Sequence, residues 1–123
     1  MKVFRIVANI ETKDVSAAKE FYGDALGLEL LMDHGWIATY GDGDVPGVQI
    51  SFAAEGGSGT DTPDLSIEVD DADAALERFR SLGCQVVYGP VDEPWGVRRF
   101  YVRDPFGKLI NILSHKPGGL PDL

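Results

Sequence analysis

The side chains that could do chemistry in this 123-residue chain sit at alternate positions of short apolar runs. Arg5, Val7 and Asn9 alternate through VFRIVANI, Gln49 and Ser51 through GVQISFA, and Asp64, Ser66 and Glu68 through DLSIEVD. Asn111 interrupts KLINILSH. Alternate residues of a strand share a face, so each set lines one face with amides, hydroxyls and both signs of charge. Carboxylates joined by imidazoles could hold a divalent ion there. A carboxylate in a dry hollow, Glu68 or Asp64, could have its pKa raised toward neutrality and serve as a base. Amides and hydroxyls could instead fix an organic ligand by hydrogen bonds. Arg5 and Glu68 could also simply pair with each other, since such groups inside a sheet need partners or water.

Trp36 and Trp95 each adjoin a glycine at a turn or strand start. Aromatics so placed can stack on a flat or cationic ligand or plug the end of a sheet. Arg98, Arg99 and Arg103 form the one basic cluster, expected to be solvated or salt-bridged on an edge strand, with an anion clamp as the alternative. Asp104 is expected to hold the turn 104–107. Cys84, the single cysteine, reads as a buried strand residue and excludes an internal disulfide. The histidines are His34, at a turn, and His115, at a strand end. No glycine-rich phosphate loop, nucleophile elbow or HExxH pattern is present.

The elements that position these residues repeat. VFRIVANI reads as a strand, with Phe4, Ile6, Ala8 and Ile10 on its apolar face. Asp14 suits a helix N-cap, Val15, Ala18, Phe21, Tyr22 and Ala25 recur at helical spacing, and Gly27 can close the helix. Strands follow at 28–33, 36–41 and 47–53, with turns at His34-Gly35 and 42–45. AEGGSGTDTP, 54–63, has the composition of a flexible connector. The order then recurs. A strand spans 64–70, and Asp70 or Asp71 caps a helix that has Ala72, Ala75, Leu76 and Phe79 on one face, with Leu82 a further candidate, and that ends at Gly83. Strands follow at 84–90, 97–104 and 108–115. The fold class is therefore α+β. Two βαβββ modules, 1–53 and 64–115, make a single domain by forming a curved, half-open mixed sheet barrel with the helices outside. In the last strand, Leu109, Asn111 and Leu113 take one face and Ile110 and Ile112 the helix face. The tail 116–123 is expected to be mobile or partner-bound.

Composition is that of a soluble globular protein, 44% hydrophobic and 25% charged. Net charge is −9, split into −12 over residues 1–97 and +3 over 98–123. An acidic field opposes nucleic acid and anionic lipid and favours a cationic ligand. The apolar run at the N-terminus is too short for a signal peptide, and none is long enough to span a membrane. A cytoplasmic location is expected.

FYGDALGLEL after the first strand, LSIEVDDADAALERFRSLG opening the second half and RDPFGKLINIL closing it resemble the vicinal oxygen chelate superfamily of glyoxalases, bleomycin-resistance proteins and extradiol dioxygenases. PWGVRRF followed by RDPFGKLIN is most similar to the bleomycin-resistance branch. The resemblance implies the glyoxalase/bleomycin resistance fold and, in metal-dependent members, His and Glu ligands on four strands. Carried onto this chain, those positions fall at Val7, at Ser51 or Gln49, at Asp64 and at Asn111, so only Asp64 offers a charged ligand. Ser51 and Asn111 are weak neutral donors. The branch implies a homodimer that binds a small planar or cationic organic molecule, without metal or cofactor, through Arg5, Asn9, Trp36, Gln49, Ser51, Asp64, Glu68, Trp95 and Asn111. The alternative is a lyase, isomerase or dioxygenase-type enzyme, metal-dependent or using an Asp64 or Glu68 base.

Overall fold

The computed structural model describes residues 1–116, and most of the tail, 117–123, lies outside the described residues. The fold is α+β and contains both expected βαβββ modules in order. The backbone divides into two compact units, Val7–Thr62 and a second that joins Met1–Ile6 to the chain from Pro63 onward. The first strand, β1 (Val3–Glu11), contributes to both.

In the Val7–Thr62 unit, β2 (Glu29–Asp33), β3 (Ile37–Asp42) and β4 (Val45–Ala53) form an antiparallel meander, and β4 pairs in parallel with β1. The expected first α-helix is instead a 3-10 turn, Val15–Ala17, running into a π-helix, Lys19–Ala25. Leu26 N–H donates to the Phe21 carbonyl five residues back, the π pattern. The wider winding moves Phe21 off the apolar face. Phe21 is exposed, while Tyr22 packs on Phe52 with ring centroids 4.6 Å apart. The Asp14 side chain caps no backbone N–H. Gly27 does close the helix, at φ +76°. Within residues 54–63, Gly56 N–H donates to the Thr60 carbonyl and Thr60 N–H to the Gly57 carbonyl, closing a small loop.

In the other unit, the strands β5 (Leu65–Val69), β6 (Val86–Asp92), β7 (Val97–Arg103) and β8 (Leu109–His115) lie in the order β5-β8-β7-β6. The β5/β8 pair is parallel and the other two pairs are antiparallel. The start of β1 lies beside β5, where Lys2 and Asp70 exchange hydrogen bonds. Helix α1 (Ala72–Ser81) begins at Asp71, whose carboxylate accepts from the Asp73 and Ala74 N–H groups. Ala72, Ala75 and Leu76 of α1 bury against Phe100 and Val102 of β7 and Ile110 and Ile112 of β8. Leu82, just past the helix, is exposed. Cys84 packs at the margin of this core. Asp104 holds the β7–β8 turn as expected, accepting from the Phe106 and Lys108 N–H groups.

Ile112 is 2% exposed in the core and Phe106 is 84% exposed at the turn. Ile112→Ala should therefore cost about 2–5 kcal/mol of stability, and Phe106→Ala no more than about 0.5 kcal/mol. Urea unfolding of the two variants measures this; equal losses would contradict the assigned burial.

A neutral polar row between two ion clusters

The strand registers of the second unit define the face opposite α1. Ser66 of β5 and Tyr101 of β7 stand on either side of Asn111 of β8. One step along, Glu68 and Arg99 stand on either side of Leu113. One step the other way is Leu109. The Asn111 side chain is therefore bracketed by two leucines along its strand and by two hydroxyl-bearing residues across it. It is 7% exposed, and its Nδ2 donates to Ser66 Oγ at 3.1 Å. Its Oδ1 is buried without a hydrogen-bond partner among the described residues.

The charged groups flanking this row are already paired. Glu68 Oε1 lies 2.8 Å from Arg5 Nε, and Glu68 Oε2 lies 2.8 Å from His115 Nδ1. Burial alone pushes the Glu68 carboxyl up, but the His115 hydrogen bond and the Arg5 charge together outweigh it and hold the group below its ordinary 4.5. The rise toward neutrality expected of a carboxylate base in a dry hollow is thus not found at Glu68. His115, placed by sequence at a strand end away from the site, joins it through this pair.

Arg99 is the second correction. It does not sit on an exposed edge strand with Arg98 and Arg103, because β7 lies between β6 and β8. The Arg99 and Glu93 side chains are each 3% exposed and pair at 2.6 Å. The Arg99 guanidinium faces the rings of Tyr88, Trp95 and Tyr101 at 5.4, 4.9 and 4.9 Å, and donates to Tyr101 Oη at 2.9 Å. Tyr88 Oη donates to Glu93 at 2.9 Å. Burial, then the Glu93 hydrogen bond and charge, push the Tyr88 hydroxyl up, so it stays protonated as that donor. Trp95 therefore lays a ring against Arg99. Gly89 permits the close β6–β7 approach beneath this cluster: it adopts φ +74°, and a Cβ there would stand 2.6 Å from the Arg99 carbonyl oxygen. Arg98 is a surface residue, bridged to Asp73 and Asp92.

The remaining sequence candidates distribute as follows. Asp64 is exposed, and its Oδ2 accepts from the Leu109 N–H at 2.9 Å. Register places Ser66, not Asp64, opposite Asn111. In the Val7–Thr62 unit, Asn9 and Ser51 are register partners on adjacent strands. Ser51 Oγ lies 2.7 Å from Thr39 Oγ1, both buried. Val7 is buried, Gln49 Nε2 donates to the Pro46 carbonyl, and Trp36 lies 6.3 Å from the His34 ring. The structure thus brings Arg5, Glu68 and Asn111 onto one face of one unit, and Asn9 and Ser51 together in the other.

Residues 5–112 match the model of the glyoxalase/bleomycin resistance protein/dioxygenase superfamily. The chain belongs to that superfamily. No curated protein matches it. Among solved structures, superfamily-like folds recur at low identity. A chain described as an NAD-dependent benzaldehyde dehydrogenase from Legionella pneumophila shares 17% identity at a TM-score of 0.71, over 90% of this chain and 99% of that one. Methylmalonyl-CoA epimerase from Mycobacterium tuberculosis shares 21% at 0.65, over 94% and 89%. A Mn(II)-bound glyoxalase from Novosphingobium aromaticivorans shares 20% at 0.62, over 99% of this chain and 42% of that one. At these identities the likeness is one of fold. The donors among the described residues do not fit the metal that some superfamily members hold. The β5/β8 pair offers a hydroxyl and an amide at Ser66 and Asn111, and among the described residues no three His, Cys, Asp or Glu side chains cluster closely enough to hold an ion. No helix among the described residues is long and apolar enough to cross a membrane.

Because the Glu68 pKa is lower folded than unfolded, the unfolded chain takes up the proton more readily. Its contribution is complete above about pH 4.5 and is lost as pH falls through the depressed folded value. Glu68→Gln should therefore be less stable than the parent near neutrality, with the gap closing in acid. Chemical unfolding across pH measures it; a gap constant throughout the acid range would contradict the Arg5–Glu68–His115 linkage.

Proposed function

We propose that this protein binds a small organic molecule through the α1-distal face of its second unit, with Asn111 Oδ1 as the hydrogen-bond acceptor and without a metal ion. One observation carries the reading: a carbonyl oxygen in the middle of β8 that is buried and has no partner among the described residues. Leaving such an acceptor unpaired costs about 1–3 kcal/mol. Leucine, of similar size, would complete the apolar strand without that cost. A residue that lowers stability where a simpler one would raise it marks a site kept for function. Superfamily membership is compatible with the reading, since the superfamily takes in bleomycin resistance proteins as well as glyoxalases and dioxygenases. The paired charges support it too, because they leave no carboxylate cluster for an ion. Reaching the oxygen requires the face to open locally, so association should be slower than for a preformed open pocket.

Asn111→Leu is therefore expected to raise unfolding stability by about 1 kcal/mol and to abolish ligand binding. Urea denaturation combined with a small-molecule binding screen by calorimetry or NMR measures both. A destabilised Asn111→Leu protein that still binds what the parent binds would sink the proposal.

A further inference from the structure

We infer that the group a ligand presents to Asn111 is a neutral hydrogen-bond donor, a hydroxyl or amide N–H, and not a cation or an anion. This rests on the binding reading above and names its chemistry. The four direct neighbours of the Asn111 side chain in the strand grid are uncharged: Leu109 and Leu113 along β8, Ser66 and Tyr101 across it. One step further along the face the ionic groups have partners of their own: Glu68 pairs with Arg5 and His115, Arg99 pairs with Glu93, Asp64 accepts from the Leu109 N–H, and Arg103 donates to the Gly107 carbonyl. A carboxylate brought to Oδ1 would meet an acceptor with an acceptor. An ammonium could bond to Oδ1, but it would have no counter-ion among the direct neighbours, and burying an uncompensated charge is far more costly than burying a neutral donor. A hydroxyl or amide N–H supplies the missing donor and brings no charge. The acidic net charge of the chain acts on encounter from outside and does not alter this local balance.

A series sharing one phenyl ring tests the inference: benzyl alcohol, benzamide, benzoate, benzylammonium and toluene. Each is titrated into the 15N-labelled full chain, following the Asn111 side-chain amide. Benzyl alcohol and benzamide should perturb that resonance and bind at least about fivefold more tightly than the other three, the ratio one net hydrogen bond gives. In Asn111→Leu, followed through the backbone amides, the advantage of benzyl alcohol and benzamide should be lost together with their binding, and Asn111→Ala provides a second variant should the first fail to fold. Benzoate or benzylammonium binding as tightly as the neutral donors would overturn the inference while leaving the binding reading standing. So would a preference for the neutral donors that survives in both variants. No binding by any of the five would overturn both.

Discussion

Burial of both faces of β7 and β8 is the constraint on which the rest of this unit depends. One face is closed by α1 through Phe100, Val102, Ile110 and Ile112, and on the other Tyr101, Leu109 and Leu113 are equally buried. No polar atom placed there can count on bulk water, so each needs a protein partner or carries a cost. The Glu93–Arg99 pair meets that demand with an ion pair, two tyrosine hydroxyls and three ring faces directed at one guanidinium. Removing either partner would strand a buried charge. Asn111 is the exception on this face, with one half of its amide satisfied by Ser66 and the other half not.

Charge is arranged in two layers. Carboxylates such as Asp73 and Asp92 stand on the surface with Arg98 and Lys116, where solvent screens them and their net contribution is small. The ion clusters beside the Asn111 row point inward and pair within themselves. The long-range field of the molecule is acidic, yet the row that carries Asn111 is electrically neutral. On the proposed reading, field and contact would select for different properties of a partner.

Much of this was legible in the sequence because it is local. Alternation in KLINILSH separated Ile110 and Ile112 from Asn111, Asp71 was visible as a cap, and Gly27 and Gly83 marked helix ends that both adopt positive φ. Features set by long-range pairing were not legible. The offset that puts Ser66 rather than Asp64 opposite Asn111 depends on how two strands 45 residues apart slide past each other. The Glu68–His115 contact spans 47 residues. Arg99 was within reach, since alternation in VRRFYVR puts it on the face of Tyr101, but its burial follows from β7 being a central strand. The π-helix was hidden because the same apolar residues suit either winding.

An amide and a carboxylate at one strand position invite different chemistry. A carboxylate beside an imidazole invites a divalent ion; an amide beside a serine invites a hydrogen bond. The central claim is that this face recognises an organic donor and holds no ion. Elemental analysis of the protein after dialysis against nickel, zinc, manganese and iron tests it most directly. The expected result is metal well below one equivalent in the parent and in Asn111→Leu alike. One equivalent bound by the parent and lost in Asn111→Leu would contradict it.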